Sequence, residues 1–221
     1  MAAYISFQPS DNFCTRIWTG DESSRTISTG FQTDFFWGKC RSHGGDYYEH
    51  QLIDSVRGVT KILESNSTNA ELTEAGRLTA FTADGPTIDE SEELNQNTKT
   101  YVGWNWKAGT TSGITTDGST TITPSAYSFN QTSGFSVLSY TGNSTSGAKL
   151  AHGLGVAPEM VFIKNLGTLN DWVTYSKYVK STDPEDWVMR LNNTSVAVDD
   201  VTMWNDTQPD SVNITLGNAG N

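Results

Sequence analysis

The sequence is poor in positive charge and has no long apolar run. It carries 14 Lys and Arg residues against 25 Asp and Glu in 221 residues, a formal net charge of −11. Without a basic cluster, such a surface repels nucleic-acid phosphates and anionic lipid, so neither nucleic acid nor a membrane surface is an expected partner. No stretch reaches the roughly 18 apolar residues of a membrane helix, and the N-terminus lacks a signal-peptide pattern. Membrane insertion is therefore not expected.

Cysteine is also scarce, with Cys14 and Cys40 as the pair in the sequence. Each falls in a predicted strand of the first half of the chain, so the two could be neighbours across a sheet. In the absence of a secretory signal, we predict two reduced, buried thiols, and a disulfide bridge is the alternative.

The chain has few signals for helices. Charged residues make up 18% of the sequence, and Ser, Thr, Asn and Gly fill most of the remainder, which is typical of strands and turns. Residues 66–76 are the one segment where a helical turn is an alternative to strand or turn structure. The acidic residues 89–93 are predicted to form a solvated loop. With 7 Trp, 8 Tyr and 9 Phe to fill cores, short strands about 8–12 residues apart predict an all-β fold of antiparallel β-sandwiches.

One pattern occurs twice. Residues 13–39 read FCTRIWTGDESSRTISTGFQTDFFWGK, and residues 135–164 read FSVLSYTGNSTSGAKLAHGLGVAPEMVFIK. In each, a Phe opens a strand that ends in aromatic-Thr-Gly, and an acidic residue later precedes an apolar strand that ends in Lys. Self-similarity of this kind predicts a repeated structural unit. The extra residues of the second copy fall in a loop, where insertions are tolerated best.

The repeat suggests a domain organisation. We predict a first β-sandwich repeat over residues 1–109, a linker and edge strand over 110–134, and a second repeat over 135–221. The strand KTYVGWNWK (99–107) closes the first copy, and no counterpart is visible in the second. The expectation is that the native chain continues or that a neighbouring subunit supplies the strand, since an open sheet edge promotes association.

Several longer motifs carry a family resemblance: FQPSDNF near the start, DSVRG (54–58), YVGWNWKAG (101–109), the 135–164 stretch and MWNDTQPDSVNITLG (203–217). Together they resemble a repeated domain of marine bacteriophage virion proteins, similar to concanavalin A-like (laminin G-like) jelly-roll sandwiches. The resemblance covers nearly the whole chain. It implies a non-enzymatic structural protein of the virion, assembled in the host cytoplasm and exposed on the particle.

Within that resemblance, a tail-fibre or other appendage subunit is the preferred interpretation. Its implied partners are copies of itself and other virion proteins, and the sharper hypothesis adds attachment to a host-surface glycan. A glycan depolymerase of the phage tail and a capsid-surface decoration or head-fibre protein are the alternatives. Kinship of fold with lectins is analogy and does not by itself establish binding.

No catalytic, cofactor or metal site is predicted. His43, His50 and His152 lack zinc-ligand spacing, and no G-x-S-x-G nucleophile motif is present. The acidic residues cluster in loops and are interpreted as solvated, with a calcium site as the lesser alternative. The segment Asp54–Gly58 is predicted to be a turn clasped by Asp54 and Arg57.

Tryptophans are the candidate ligand contacts. Trp104 and Trp106 share one face of their strand because they are two residues apart, and the sandwich core is favoured for them over a sugar-stacking platform. Trp172, Trp187 and Trp204 each stand alone in their segments, so they are predicted as the exposed, ligand-binding tryptophans.

Overall fold

The computed structural model describes residues 8–42, 48–219 and 221. Antiparallel ladders dominate, and helices are few and short, so the predicted all-β class is confirmed. The chain divides into two compact units: Met1–Glu64 with Leu72–Gly109, and Ser65–Glu71 with Thr110–Asn221. Residues 65–71, predicted to be part of the first repeat, belong to the second unit. The predicted linker, residues 110–134, also belongs to the second unit.

The described residues of the first unit form three sheets. In the described part of the chain its strands are β1 (Phe13–Thr19), β2 (Arg25–Thr26), β3 (Phe35–Cys40), β4 (Gln51–Asp54), β5 (Lys61–Ile62), β6 (Leu72–Thr73), β7 (Leu78–Thr82), β8 (Gly85–Ile88) and β9 (Thr100–Trp106). A short helix, α1, spans Glu92–Asn95. The sheet orders are β1-β9-β3-β4, β2-β8-β7 and β5-β6.

The core of the first unit lies on one side of the sheet β1-β9-β3-β4. Side chains alternate between the two sides of a strand, and Trp18, Phe36 and Tyr101 are the aromatic residues that β1, β3 and β9 bury there. Trp18 and Tyr101 stack with ring centroids 5.7 Å apart. Burial of such rings supplies much of the apolar area that stabilises a β-sheet protein.

The second unit has its own strands and core. In the described residues its strands are β10 (Ala126–Asn130), β11 (Phe135–Ser139), β12 (Ala148–Ala151), β13 (Met160–Ile163), β14 (Val173–Ser176), β15 (Trp187–Arg190), β16 (Val198–Asp199) and β17 (Asn213–Leu216). Helix α2 spans Val201–Trp204. The sheet orders are β10-β11, β12-β17 and β13-β14-β15-β16, and Leu150, Tyr175 and Trp204 lie in the core.

The acidic segment before β9 differs from its prediction as a solvated loop. Ser91 begins α1 as its N-cap, with the Leu94 backbone N–H donating to Ser91 Oγ at 3.2 Å. Leu94 is fully buried in the core of the first unit, and Glu93 forms an ion pair with Arg77 at 3.2 Å. One buried leucine therefore anchors a segment whose charges suggested a fully solvated loop.

Two local predictions are confirmed. Cys14 and Cys40 are free and buried; they lie on β1 and β3, which are separated by β9, and burial raises the pKa of the Cys14 thiol. Asp54 and Arg57 form the predicted clasp, in which Arg57 Nε donates to Asp54 Oδ2 at 2.6 Å. Asp54 Oδ1 also accepts from the backbone N–H groups of residues 56 and 57.

Candidate ligand-binding site

The side of the sheet β1-β9-β3-β4 that faces away from the core is lined with aromatic residues. The strand register places Trp106 between Phe13 and Phe35, and Trp104 between Thr15 and Trp37. Phe13 is exposed, and the other aromatic members are half-buried. We call the surface formed by Phe13, Phe35, Trp37, Trp104 and Trp106 the aromatic face.

The prediction that Trp104 and Trp106 lie in the core is wrong. The core side of β9 is occupied by Tyr101, Gly103 and Asn105, which are buried. A Cβ at Gly103 would lie 2.8 Å from Phe36 Cε2 and 3.0 Å from Trp18 Cζ3. The rings of Trp18 on β1 and Phe36 on β3 fill the core opposite Gly103. Trp104 and Trp106 therefore lie on the opposite side of β9.

Part of the aromatic face forms a cleft. The cleft has a volume of about 320 Å³ and is lined by Trp37, His50, Trp104 and Trp106; we call it the aromatic cleft. The rings of Trp37 and Trp104 meet edge to face, with centroids 6.2 Å apart and planes at 75°. Edge-to-face packing fixes each ring in place and is the arrangement favoured by the aromatic quadrupole.

His50 is held in one orientation within this cleft. Trp37 Nε1 donates to His50 Nδ1 at 2.8 Å, so Nδ1 acts as an acceptor and the neutral ring carries its proton on Nε2. Burial, followed by the nearby Lys39 ammonium, lowers the pKa of His50. The cleft thus contains a neutral imidazole beside indole rings at neutral pH.

Two further aromatic contacts support the edge of the cleft. Phe13 packs on Trp106 with centroids 4.9 Å apart, and Phe35 packs on the same indole at 5.4 Å. Trp106 is therefore held from both neighbouring strands. An array of fixed, half-exposed rings with one imidazole can bind a flat or ring-shaped ligand by stacking its C–H surface and hydrogen-bonding its hydroxyl groups.

The three tryptophans predicted as ligand contacts lie elsewhere, in the second unit. Trp172 is 5% exposed and Trp204 is 2% exposed, so the prediction of exposure is wrong for both. Trp204 packs edge to face on Tyr175 at 5.8 Å within the core. Trp187 is half-buried, and Lys180 Nζ lies 4.0 Å from its ring centroid in a cation–π contact. A ligand role for Trp187 stays a prediction.

The second unit has a smaller cleft on the sheet β13-β14-β15-β16. Its volume is about 260 Å³, and it is lined by Met160, Phe162, Thr174, Met189, Arg190 and Leu191. Met160 and Phe162 are exposed. This cleft contains one aromatic ring, so it offers much less stacking surface than the aromatic cleft.

The remaining predicted residues have structural surroundings. His152 is buried; its Nδ1 accepts from the Leu154 backbone N–H at 3.2 Å, and its Nε2 lies 3.1 Å from the Asp210 carbonyl oxygen. Burial lowers the pKa of His152. His43 lies outside the described residues. Within the described residues no group of three or more His, Cys, Asp or Glu side chains could hold a metal ion, and no helix is long and apolar enough to cross a membrane.

Taken together, the fold and the site describe an all-β protein with an exposed aromatic cleft. The chain belongs to the family described as a domain of unknown function, DUF7483, whose family model matches residues 8–221. Searches of curated proteins and of solved structures gave no match.

Proposed function

We propose that this chain is a non-enzymatic bacteriophage virion protein, a subunit of a tail fibre or another appendage that takes part in assembly and host attachment. The resemblance of its motifs to phage virion domains supports this proposal. All-β architectures built from short antiparallel strands also occur in viral capsid and lectin domains, which agrees with this proposal. Its partners would be copies of itself and other virion proteins, on the exterior of the particle.

We further propose that the two units are tandem copies of one concanavalin A-like sandwich. Equivalent pairings recur: β2 pairs with β8 as β12 pairs with β17, and β3 pairs with β4 as β13 pairs with β14. Along the chain, β1 to β4 would correspond to β11 to β14, and β8 to β17. These pairings join the repeated sequence motifs, and they support a single domain plan used twice.

The aromatic cleft is the single observation that carries the binding part of the proposal. Pyranose rings present flat C–H surfaces that pack on indole faces, and a neutral His50 can hydrogen-bond a hydroxyl group. None of the lining residues is a carboxylate, whereas glycoside hydrolysis commonly needs two of them flanking the bond. We therefore propose recognition of a host-surface glycan at the aromatic cleft, without cleavage.

A glycan array of bacterial surface polysaccharides and their oligosaccharide fragments tests this proposal. The wild-type chain should bind at least one glycan, and Trp104→Ala should weaken that binding by about tenfold or more, which corresponds to ~1.4 kcal/mol. Tyr178→Ala is the control, because it removes an exposed aromatic ring from the second unit. Equal loss in both variants, or no binding by the wild type, would overturn the proposed glycan role.

The virion assignment has its own tests. Antibodies against this chain, detected by immunogold labelling, should decorate the appendages of intact phage particles. Labelling of the capsid surface would assign the chain to head decoration, and absence from particles would refute a virion role. If the protein released oligosaccharides from a bound polysaccharide, the proposed function would change from glycan binding to glycan depolymerisation.

A further inference from the structure

The aromatic face continues past the aromatic cleft. Its rings lie on three neighbouring strands of one sheet: Trp37 on β3, Trp104 and Trp106 on β9, and Phe13 on β1. Phe13 does not line the cleft, and it is 37% exposed. The aromatic face therefore offers stacking surface that lies outside the cleft.

The rings are spaced like the units of an extended sugar chain. Neighbouring strands of a sheet lie about 4.8 Å apart. The ring centroids are 4.9 Å apart for Phe13 and Trp106, and 6.2 Å apart for Trp37 and Trp104. These distances are close to the length of one pyranose unit in a glycan whose linkages are equatorial. The sheet thus presents ring groups at intervals that suit successive sugars.

The inclination of the rings favours a chain of sugars over a single flat ligand. The planes of Phe13 and Trp106 are inclined by 55°, and those of Trp37 and Trp104 by 75°. Rings inclined in this way form separate stacking surfaces and not one continuous plane. A fused, flat ligand contacts one such surface at a time, whereas an oligosaccharide rotates about its linkages and can stack one unit on each.

A polar side chain lies between the cleft and Phe13. Thr15 is on the same side of β1 as Phe13, because they are two residues apart, and it pairs with Trp104. Thr15 is exposed, and its side-chain hydroxyl makes no hydrogen bond to the described residues. A threonine hydroxyl can both donate and accept. It is therefore available to a hydroxyl group of a sugar stacked beside it.

The charges around the aromatic face favour an uncharged ligand. The members of the face are uncharged, and the ionised side chains beside them already have partners. Lys39 Nζ donates to the Tyr48 carbonyl, and Asp54, which pairs with Phe35, forms an ion pair with Arg57. The chain also has a net charge of −11. A glycan that carries carboxylate or sulfate groups would be repelled by this charge.

We propose that the aromatic face binds an internal stretch of a linear, uncharged glycan whose sugars are joined by equatorial β-1,4 linkages. From His50, which directly precedes β4, to Phe13 on β1 is three strand spacings, or about 14 Å, which is room for about three sugar units. We call the surface formed by Phe13 and Thr15 the edge subsite. The inference rests on the glycan recognition proposed above, and it adds the class of glycan, the number of bound units and a second subsite.

The test is a length series measured by isothermal titration calorimetry with the full chain. The ligands are β-1,4-linked oligomers of glucose, mannose and N-acetylglucosamine, each from one to six units. At least one series should bind. Its Kd should fall about 2–10-fold with each unit up to about the third, because each stacked sugar adds one aromatic contact. The hexamer should bind as tightly as the trimer, since a longer chain continues past the face.

Two variants test the edge subsite. Phe13→Ala should leave the affinity for the monosaccharide unchanged and remove the advantage of the trisaccharide over the disaccharide. Thr15→Val keeps the shape of the side chain without its hydroxyl, and it should weaken the trisaccharide but not the monosaccharide. Ile17→Ala is the matched control, because Ile17 is 63% exposed on the same side of β1 and lies outside the aromatic face. It should change no affinity. Thermal unfolding checks that each variant folds, and Thr15→Val serves alone if Phe13→Ala does not.

The charge of the ligand is tested with β-1,4-linked oligomers of mannuronic and glucuronic acid. They differ from the mannose and glucose series by a carboxylate at C6. Both acidic series should bind at least about tenfold more weakly than the best neutral series, a difference of ~1.4 kcal/mol. Tighter binding of an acidic series would overturn the assignment of an uncharged ligand.

The outcomes separate this inference from the proposed function. If a monosaccharide binds as tightly as its trisaccharide, or if the variants of the edge subsite lose affinity equally at every length, the inference is overturned and glycan recognition at the aromatic cleft stands. The same holds if a glycan of the array binds and none of the three neutral series does. If no glycan of the array binds, the proposed function itself is refuted.

Discussion

Replacing Gly103 by alanine should destabilise the first unit, because the added methyl group enters a filled core. The new Cβ would lie 2.8 Å from Phe36 Cε2 and 3.0 Å from Trp18 Cζ3, closer than carbon atoms pack. Overpacking of this kind costs about 1–3 kcal/mol. Calorimetry should show a melting temperature lower by about 4–8 °C for each kcal/mol, as expected for a unit of roughly 100 residues.

A matched glycine gives the control for this prediction. A Cβ added at Gly118 would meet no atom within 4 Å, and the φ of this residue lies outside the left-handed range. Gly118→Ala should therefore be neutral or raise stability by about 0.4–1 kcal/mol, through the lower entropy of the unfolded chain.

The opposite face of β9 completes the test. Trp104→Ala should lower the free energy of unfolding by about 1–2 kcal/mol, because the indole is half-exposed and its removal eliminates mainly aromatic contacts. A buried tryptophan would cost about 3–5 kcal/mol. Two results together would refute this reasoning: no change in the free energy of unfolding for Gly103→Ala, and a loss of about 3–5 kcal/mol for Trp104→Ala. They would place the tryptophans in the core.

Three further predictions concern single residues. Arg57→Ala leaves the buried Asp54 carboxylate without its cation and should cost about 3–5 kcal/mol in urea denaturation; a cost below about 1 kcal/mol would contradict the clasp. The pKa of His50 is lower in the folded protein than in the unfolded chain, where it is about 6.5. The contribution of the neutral ring to stability is therefore present above pH 6.5 and is lost as the pH falls through the folded-state pKa. NMR titration of the His50 ring should show a midpoint below 6.5, and a midpoint at or above 6.5 would contradict this prediction. The pKa of Asp117 is lowered to about 2, first through Ser119, and Ser119→Ala should raise its NMR titration midpoint, whereas an unchanged midpoint would contradict that cause.

Local patterns in the sequence predicted several features correctly. The alternation in residues 99–107 is typical of a strand, and β9 forms there. The spacing of Asp54 and Arg57 favours a tight turn clasp, and the hydrogen bond and ion pair between them span three residues. Such features depend on neighbours in the chain, so the sequence contains most of the information that determines them.

The orientation of β9 could not be predicted in the same way. Alternation shows that Trp104 and Trp106 share a face, but the choice between core and exterior depends on Trp18 and Phe36, which come from distant segments. The small residue Gly103 was the available signal, because a glycine within a strand allows large neighbouring rings to approach the backbone closely.

The cleft and the buried tryptophans show the same limit. In the sequence His50 shows only that it lacks zinc-ligand spacing, because its position in the cleft depends on a hydrogen bond from Trp37, which is 13 residues away. Trp172 and Trp204 stand alone in segments without clear periodicity, so nothing local indicates their burial. Large aromatic residues are often buried, and that general tendency was the better guide for both.

The most direct test of the central claim is a two-dimensional NMR titration of the indole N–H signals with a glycan selected from the array. Binding at the aromatic cleft predicts that the signals of Trp37 and Trp104 shift progressively, while those of buried Trp172 and Trp204 stay in place. Shifts confined to the second unit, or no shift at Trp37 and Trp104 at saturating glycan, would contradict the assignment of the aromatic cleft as the binding site.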